Sequence, residues 1–297
     1  MTGKNEKKLV VAPINSSCGY SIEINPQTKF IFSPSGSPSS IIDKNDTLKK
    51  IGFNLAYFTF PHAVTAKEYV GLLKSPIARG GAVTGQGLKS DIIPLLDCID
   101  PLAQSMNSVN TVVNSNGQLS GYNTDATGFE TAIKNGISGS GVEIKTAVVY
   151  GNGGVSGTAV KVLQSMGITV ALTGRNSNRV SKKRNELNLS SREGPFDLVV
   201  NATPVSQFSI DDVIGLPNLL KDCTMVFDHN MPEKDGKKNY LKLYCGAKDI
   251  PFIPGKEMYI PQLIAQWGLF FDGLIKEDGT PWITESEITD LVNRNTG

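Results

Sequence analysis

Histidine is scarce in this sequence, which narrows the chemistry that the protein can perform. The 297 residues include two histidines, His62 and His229. Chemistry that needs several imidazoles is therefore excluded, and each histidine is expected to be structural rather than catalytic. We expect the proton carrier of any reaction to be a Lys, Asp, Glu or Tyr side chain.

Cysteine is almost as rare. The four cysteines are scattered along the chain without CxxC spacing, at Cys18, Cys98, Cys223 and Cys245. Neither a zinc site nor a disulfide framework is indicated, so we expect no metal. Scattered free thiols are typical of a reducing compartment, which predicts a cytoplasmic protein.

Long apolar runs and an excess of one charge are also missing. No stretch reaches the roughly 18 apolar residues of a membrane span, and the polar, basic N-terminus lacks the apolar core of a secretory signal. The sequence has 29 basic and 28 acidic side chains, so its formal net charge of +1 creates no global field for nucleic acid or an anionic membrane. We expect neither as a partner, and a monomer or homodimer that binds a small molecule.

The second half of the chain alternates short apolar runs with stretches of helix length. Strands are predicted at 146–150, 169–173, 197–201, 224–228 and around 250–253. Continuous apolar runs of this length are typical of strands buried on both faces of a parallel sheet. The pattern predicts a doubly wound α/β domain.

The first half is less regular and predicts a smaller α/β domain. Strands are expected at 9–12, 21–24, 29–32, 55–60 and 81–84, and helices at 44–51, 65–74 and 90–98. A run at 261–275 that is rich in Leu, Ile, Trp and Phe predicts a helix with a broad apolar face, which could return to this domain.

A polar hairpin is predicted within the first half, in the sequence SVNTVVNSNGQLSGYNTD from Ser108 to Asp125. The turn is expected at Asn116-Gly117, and the two arms bring Asn110 towards Asp125. The polar residues can be turn and cap formers, which Asn, Thr and Asp commonly are. They can equally be one wall of a substrate site, and the hairpin alone does not decide between the two.

A glycine turn, GNGG at 151–154, separates the first predicted strand of the second half from a segment of helical spacing. Without side chains, the backbone N–H groups of such a turn can approach a pyrophosphate, and the following helix directs its positive end towards the phosphate. This context favours nucleotide binding over a merely structural turn.

The stretch after the glycine turn lacks acidic residues, which bears on the choice of nucleotide. A site for NAD commonly presents an acid roughly 20 residues beyond the glycines, yet neither Asp nor Glu occurs from Gly151 to Arg184. Arg175, in the sequence TGRN, lies where the 2′-phosphate of NADP would bind, and a guanidinium can stack on adenine while it bonds that phosphate. We therefore predict NADP as the cofactor and assign 182–184 to a solvated basic helix face.

Taken together, these motifs resemble the shikimate dehydrogenase family, including its quinate-using relatives. The resemblance covers most of the chain, and its closest segments are SVNTVV, GYNTDATGF, YGNGG, TGRN, DLVVNATP and G-x-x-M-x-x-x-Q at 255–262. The resemblance implies a substrate domain at 1–125 that binds a hydroxylated ring acid and is joined by a C-terminal helix at about 259–297. It also implies a Rossmann-type NADP domain at 126–258, a reaction in the cleft between the two domains, and a place in aromatic amino acid biosynthesis through the chorismate pathway.

The resemblance also assigns a proton-handling pair, Lys89 and Asp125. Lys89 fits the family's frame between a V-T segment and a helix that ends in Leu-Asp, whereas Lys67 and Lys74 compete from the preceding predicted helix. An ammonium beside a carboxylate can donate a proton to a carbonyl oxygen as hydride arrives. Asp125 would orient the lysine and hold a ring hydroxyl.

Further roles follow from matching positions. Thr84, Asn110 and Gln262 would hydrogen-bond substrate hydroxyls, and Ser35 with Ser37 resembles a carboxylate clamp. Ser33, Ser39 and Ser40 are alternatives for that clamp. The cofactor residues implied are Gly151, Asn152, Gly153, Gly154, Thr173, Arg175, Asn201, Thr203 and Gly255.

Departures from the family pattern cluster on the substrate side. Ala82 occupies the position before V-T where the family has Asn. The loop VTGQGLK is one residue longer than the family's loop and lacks its proline, and the family's His-Asn after the serines is missing. The segment DHNMP at 228–232 corresponds to the family's D-x-x-Y-x-P, with Met231 in place of tyrosine.

The leading hypothesis is an NADP-dependent enzyme that interconverts a ring hydroxyl of shikimate or a close analogue with its ketone. The alternatives are a quinate or aminoshikimate dehydrogenase and a nucleotide-binding regulatory protein without turnover.

Overall fold

The structure is a computed structural model that describes residues 22, 24–35, 38–60, 64–85, 87–231, 238–276 and 279–296. The predicted strand at 9–12 lies outside these residues, and so does part of the strand at 21–24. Ser37, His62 and Cys18 also lie outside the described residues.

The first sheet contains six strands, which are β1 (Lys29–Ser33), β2 (Leu55–Thr59), β3 (Ala78–Ala82), β4 (Cys98–Ile99), β5 (Thr111–Ser115) and β6 (Gln118–Tyr122). Their spatial order is β2-β1-β3-β5-β6-β4. β1 pairs in parallel with β2 and β3, β5 runs antiparallel to β3 and β6, and β4 is parallel to β6. The connecting helices are α1 (Pro38–Ile51), α2 (Ala66–Leu73), α3 (Leu88–Asp91) and α4 (Pro101–Met106).

The predicted polar hairpin is confirmed as β5 and β6. Its two turn residues, Asn116 and Gly117, have φ angles of 54° and 93°. Two successive positive φ angles give the tight turn whose twist matches the flanking strands, and Asn and Gly tolerate them best. The Asn114 side chain accepts a hydrogen bond of 2.7 Å from the Gly117 N–H, which fixes the turn.

The second sheet contains five parallel strands, which are β7 (Thr146–Tyr150), β8 (Thr169–Thr173), β9 (Leu198–Asn201), β10 (Met225–Asp228) and β11 (Phe252–Pro254). Their order is β11-β10-β9-β7-β8, and helices α6 (Gly154–Ser165), α7 (Ser177–Glu186), α8 (Leu216–Leu220) and α9 (Tyr240–Ala247) connect them. The strand order reverses between β7 and β9, and ligands of such sheets bind beyond the carboxyl ends of strands at this reversal. The predicted doubly wound fold is confirmed.

Two helices carry the chain between the sheets. Helix α5 (Thr124–Ser140) leads from β6 to β7, and α10 (Lys256–Phe271) leads from β11 back to the first sheet. A Cβ atom at Gly128 would clash with the carbonyl oxygen of Met258, so glycine lets the two helices cross closely. The far end of α10 buries Trp267 and Phe270 in the core of the first sheet.

Two predicted helices differ from the structure. The segment at 90–98 is wrong as a helix, because α3 ends at Asp91 and a 3₁₀ turn at Ile93–Leu95 precedes β4. Pro94 lacks an N–H group and disfavours helical geometry in the residue before it. At the C-terminus, α10 ends before Gly273, which has a φ of 70°, and a separate helix α11 (Glu285–Thr296) follows. Glycine in the left-handed conformation commonly ends a helix in this way.

Candidate active site

Several strand ends of the first sheet meet at one edge, where the predicted site residues gather. The carboxyl ends of β1, β3 and β6 lie beside the amino end of β5 because β5 is antiparallel to β3 and β6. The Val83 N–H donates a 2.7 Å hydrogen bond to the Asn110 carbonyl, which ties β3 to β5 at this edge. Ser35, Thr84 and Asp125 each follow one of the converging strands.

Lys89 and Asp125 form an ion pair at this edge. Lys89 Nζ lies 2.6 Å from Asp125 Oδ2, and the two side chains are 32% and 25% exposed. The backbone carbonyl of Lys89 accepts a 2.8 Å hydrogen bond from the N–H of Val109, which fixes α3 against the hairpin. Asp125 lies in the first turn of α5, where the positive end of the helix favours a carboxylate.

The competing lysines lie elsewhere. Lys67 is exposed on α2. Lys74 pairs with Asp97 at 3.5 Å on the surface, where the side chains are 47% and 38% exposed. Of the three lysines weighed from the sequence, Lys89 is therefore the one that meets Asp125.

A buried amide network holds Asp125. Asn110 Nδ2 donates to Asp125 Oδ1 at 2.8 Å and to Thr124 Oγ1 at 2.9 Å. Asn110 Oδ1 accepts from the backbone N–H of Thr124 at 2.8 Å, and Gln262 Nε2 donates to Thr124 Oγ1 at 3.0 Å. Asn110 and Gln262 are almost fully buried, so these bonds satisfy groups that would be costly to leave unpaired. The network leaves Asp125 Oδ2 directed at Lys89.

The two hydroxyls assigned to substrate from the same edge lie together. Ser35 Oγ is 2.8 Å from Thr84 Oγ1, with Ser35 exposed and Thr84 half-buried. Ala82, at the family's asparagine position, is buried, and its carbonyl accepts a 3.3 Å hydrogen bond from the Tyr69 hydroxyl. The methyl group of Ala82 offers no hydrogen bond to a ligand.

A cavity of about 470 Å³ separates the ion pair from the start of α6. Lys89 and Asp125 line one side, and Gly154, Val155 and Thr158 line the other. Gly85 and Gly87 of the altered loop also line it, with φ angles of 101° and 90° that favour glycine. The remaining wall includes His229 and Met258. Lys89 and Asp125 thus share a cavity with Gly154, the last residue of the glycine turn.

A second cavity, of about 770 Å³, lies beyond the carboxyl ends of β7, β8 and β9. Four of the predicted cofactor residues line it, namely Gly151, Asn152, Arg175 and Thr203. Gly151 has a φ of 132°, and a Cβ atom there would lie 2.7 Å from Thr203 Cγ2. The glycine turn therefore requires glycine both for its backbone conformation and for its close approach to the next loop. Gly153 lines a smaller neighbouring cavity with Arg179 and Lys182, and Gly154 lines the first cavity.

Three predicted cofactor residues, Thr173, Asn201 and Gly255, line none of these cavities and instead contact residues next to them. The Thr173 carbonyl accepts a 2.8 Å hydrogen bond from the Gly151 N–H. Asn201 is fully buried. Its Nδ2 donates hydrogen bonds to the Thr203 carbonyl at 3.0 Å and to Asp228 Oδ1 at 2.9 Å. Gly255 lies against the backbone carbonyls of the segment after β10, where a Cβ atom would clash.

Some lining residues were not predicted from the sequence. The segment after β9 contributes Phe208, Asp212 and Ile214 to the second cavity, and Phe208 and Ile214 are 59% and 70% exposed. Apolar residues in an irregular segment have no periodic pattern. The sequence therefore does not distinguish those that line a binding cavity from those that belong to the hydrophobic core. His229 was expected to be structural, yet it lines the first cavity. Its position directly after a strand, at the carboxyl edge of a parallel sheet, is the sequence feature that could have indicated this.

The described residues contain neither a cluster of metal ligands nor a membrane-spanning helix. In the part of the chain that the structure describes, no cluster of three or more His, Cys, Asp or Glu residues is arranged to hold a metal ion. Within the same residues, no helix is both long enough and apolar enough to cross a bilayer.

The doubly wound sheet has a glycine turn at the point where its strand order reverses, and a Lys–Asp pair lines the adjacent cavity. These are the features of the two-sheet α/β oxidoreductases. No protein-family model matches the chain. Among curated relatives, the shikimate dehydrogenase (NADP(+)) of Aquifex aeolicus is 30% identical over 237 residues, which cover 75% of this chain and 87% of that protein. The chain belongs to the shikimate dehydrogenase family, and the names of the relatives from Methanococcus maripaludis and Aquifex aeolicus include NADP(+).

Longer relatives and solved structures extend the comparison. The pentafunctional AROM polypeptide of Yarrowia lipolytica is 32% identical over 222 residues, and the match spans 73% of this chain and only 13% of that protein. The crystal structure of the Aquifex aeolicus shikimate dehydrogenase superposes with a TM-score of 0.69 at 26% identity, covering 92% of this chain and 99% of the other. The quinate dehydrogenase of Corynebacterium glutamicum, solved with NAD, has a TM-score of 0.66, covers 89% of this chain and 98% of its own, and at 20% identity shows a shared fold alone.

Proposed function

We propose that this protein interconverts shikimate and 3-dehydroshikimate with NADP as the hydride carrier, and that Lys89 and Asp125 handle the proton. The observation that carries the proposal is the 2.6 Å pair facing the glycine turn across the first cavity. Family membership supports the class of reaction. The division into a substrate domain at 1–125, joined by about 259–297, and an NADP domain at 126–258 is part of the proposal.

The residues around the second cavity fit a nucleotide with an additional phosphate. Gly151 lets the glycine turn lie directly against Thr203, since a Cβ atom would come within 2.7 Å of Thr203 Cγ2, and Arg175 and Arg179 also line the cavity. Arginine binds phosphate through paired N–H groups in a planar fork. We assign the 2′-phosphate to Arg175 and the pyrophosphate to the glycine turn at the start of α6. When bound, NADP supplies or accepts the hydride.

Lys89 moves the proton in this proposal. In the reductive direction, its ammonium donates a proton to the ketone oxygen as that oxygen gains negative charge, and the proton is then recovered from solvent. Asp125 orients the ammonium through Oδ2, while Asn110 holds Oδ1 at 2.8 Å. In the oxidative direction the neutral amine removes the hydroxyl proton. Because Asn110 anchors the carboxylate and is itself held by Thr124, the pair keeps its geometry through both directions.

The edge formed by β1 and β3 supplies the groups proposed for the substrate. The Ser35 and Thr84 hydroxyls are 2.8 Å apart and at least partly accessible, so they can donate to a carboxylate or a ring hydroxyl. Ser37, the other serine of the predicted clamp, lies outside the described residues. Asn110 and Gln262 are engaged with Asp125 and Thr124, so their contribution to substrate binding is to hold these two residues in place.

One observation favours a second candidate, oxidation of quinate or a related analogue. The loop with Gly85 and Gly87 lines the first cavity and differs from the family pattern in length and in its lack of proline. A longer glycine loop at that wall alters the space available to the ring.

The test is a spectrophotometric comparison of kcat/KM for shikimate and quinate, each with NADP and NAD. We expect shikimate with NADP to give the highest value. A higher value for quinate would establish the second candidate instead. Tight NADPH binding without oxidation of either acid would contradict both candidates and identify a nucleotide-binding regulatory protein.

We also propose that the enzyme is cytoplasmic and is a monomer or homodimer. Cell fractionation would check the location, and light scattering would check the oligomeric state.

A further inference from the structure

Helix α4 connects strands of the first sheet but also packs against the second. Ala103 is completely buried in the core of the first sheet, together with Val112 of β5. Met106, at the end of the same helix, is 8% exposed and belongs to the core of the second sheet, together with Leu163 of α6. The C-terminal end of α4 therefore lies between the two sheets.

Lys161 of α6 binds this end of α4. Its Nζ donates a 2.6 Å hydrogen bond to the carbonyl oxygen of Ser105, in the last turn of α4. The carbonyl groups of a last helical turn lack partners within the helix, and they form the negative end of the helix dipole. An ammonium group suits this position on both grounds. The bond joins a helix of the second sheet directly to a helix of the first.

Helix α6 carries Lys161 on the same element as the glycine turn. The helix spans Gly154–Ser165, so it begins at the last glycine of the turn. Gly157 and Thr158, which lie between the turn and Lys161, line the first cavity. A helix of this kind moves as one rigid element, so a bond that holds Lys161 also holds the turn to which we assign the pyrophosphate.

The chain that leaves α4 is bonded to both members of the reacting pair. The Val109 N–H donates a 2.8 Å hydrogen bond to the Lys89 carbonyl, and Asn110 Nδ2 donates to Asp125 Oδ1 at 2.8 Å. Val109 is completely buried and Asn110 is 4% exposed, so both are fixed by packing as well. The pair therefore keeps a defined position relative to the end of α4.

A second connection runs from the end of α4 to the start of α5. The Ser108 carbonyl accepts a 2.9 Å hydrogen bond from Asn123 Nδ2. Asn123 is the N-cap of α5, and its Oδ1 accepts a 3.0 Å hydrogen bond from the Ala126 N–H. Asp125 lies in the first turn of that helix. Hydrogen bonds thus connect α4 to the reacting pair by two routes, and the Lys161 bond connects α4 to the glycine turn.

We propose that Lys161 is a positioning residue for the reaction: by holding α6 against the end of α4, it sets the distance between the bound nucleotide and the Lys89–Asp125 pair. The proposal rests on the proposed function, since it needs a nucleotide at the glycine turn and a ring acid at the pair. Lys161 is not a catalytic residue, because it is not among the described residues that line the two cavities.

Loss of this positioning should reduce turnover rather than binding. Each ligand keeps the contacts on its own side of the first cavity, so its affinity is retained. Hydride transfer is more demanding, because the reacting atoms must lie about 3 to 3.5 Å apart, and a misplacement of about 1 Å can cost about 100-fold in rate. The rate constant of hydride transfer is therefore the quantity that the Lys161 bond should control.

Three variants test the assignment. Lys161→Met removes the ammonium and keeps the length of the side chain, whereas Lys161→Arg keeps a charged donor. Lys134→Met is the matched control, because it makes the same change to a lysine of α5 that is 61% exposed and pairs with Glu130. Stopped-flow absorbance gives the rate constant of hydride transfer in a single turnover, with NADP and the ring acid that the wild type oxidises best both saturating. Fluorescence titration gives the Kd of NADPH, and thermal melting checks folding.

We expect the single-turnover rate constant of Lys161→Met to fall about 10-fold, with the Kd of NADPH changed less than about 2-fold. The factor is the lower end of the value of a hydrogen bond to a charged group, because Ser105 is exposed. Lys161→Arg should recover most of the rate, and Lys134→Met should match the wild type. An unchanged rate constant in Lys161→Met, even with a lower melting temperature, or an equal fall in Lys134→Met would overturn the proposal. If Lys161→Met folds poorly, Lys161→Gln, with its shorter side chain, must show the loss of rate, and otherwise the proposal falls.

Failure of this inference can be separated from failure of the proposed function. The wild-type protein tests the function, and the variants test Lys161 relative to it. A wild type that oxidises neither shikimate nor quinate would refute the proposed function and this proposal with it. An active wild type with an equally fast Lys161→Met would refute this proposal alone.

Discussion

Replacing Lys89 with methionine removes the ammonium while keeping a side chain of similar length. The structure predicts a large loss of turnover because Lys89 Nζ, 2.6 Å from Asp125, is the proposed proton donor at the cavity. A positioned general acid contributes roughly 10²- to 10⁴-fold, which corresponds to about 2.7 to 5.4 kcal/mol of activation free energy. We expect kcat with shikimate and NADP to fall by that factor.

The same substitution should cost little folding stability. The two side chains are 32% and 25% exposed, so solvent screens the pair, and its loss is expected to lower the free energy of unfolding by only about 1 kcal/mol. Asp125 keeps its hydrogen bond from Asn110, so the carboxylate stays in place. For a chain of this size, such a loss lowers the melting temperature by about 2 to 4 °C.

Lys74→Met is the control for this prediction. It makes the same chemical change to a surface pair, in which Lys74 Nζ lies 3.5 Å from Asp97. The control should leave kcat unchanged. The assay is the steady-state absorbance change of the nicotinamide, with melting temperatures measured by circular dichroism. Wild-type kcat in Lys89→Met, or an equal drop in both variants, would refute the assignment of the proton donor.

Other substitutions and one chemical probe test separate parts of the structure. Arg175→Ala should raise the KM for NADP about 10- to 100-fold, the value of a charged hydrogen bond, without changing the KM for NAD; an equal rise for both in steady-state kinetics would contradict the phosphate assignment. Gly128→Ala should lower the free energy of unfolding, measured in urea, by about 1 to 3 kcal/mol because the added Cβ meets a carbonyl oxygen of α10. Gly139→Ala, in the same helix but facing open space, is the control and should stabilise the protein by up to about 1 kcal/mol. Burial raises the thiol pKa to about 11 for Cys223 and about 12 for Cys245, so both thiols stay protonated at pH 8. Mass spectrometry should therefore show slow alkylation of both cysteines in the native protein and fast alkylation after unfolding.

The second sheet could be predicted well from the sequence because its strands are buried on both faces. The run TVALT coincides with β8 (Thr169–Thr173), and the glycine turn begins where β7 ends. A parallel strand buried in this way must be continuously apolar, and the polar segments that follow mark where it ends. Local composition therefore carries most of the information about this sheet.

The segment at 90–98 shows where local reading fails. Its apolar residues have helical spacing, but Pro94 interrupts the hydrogen-bond ladder and the chain must reach β6 to add β4 as an edge strand. The need for that pairing is tertiary, and no local propensity reveals it. The strand predicted at 81–84 likewise begins earlier in the structure, as β3 (Ala78–Ala82).

The site shows the same division between local and tertiary information. Motif register could indicate that Lys89 and Asp125 belong together. The sequence could not show that the Gln262 amide would bond Thr124, which lies 138 residues earlier in the chain. Whether an amide faces a ligand or another side chain depends on how α10 crosses α5, and that crossing is set by packing at Gly128.

The crossing of α5 and α10 has a mechanical consequence. Within the described residues, these two helices are the chain's two passages between the sheets, and they are packed against each other. Helix α4 adds a second point of contact, because Met106 packs in the core of the second sheet and Lys161 Nζ donates a 2.6 Å hydrogen bond to the Ser105 carbonyl. A motion that widens or narrows the first cavity would pivot on the α5/α10 pair, near the N-terminus of α5 where Asp125 lies, and would have to shift this α4 contact. The ion pair would stay near the axis and move little, while Arg175, far out on the second sheet, would sweep the larger arc.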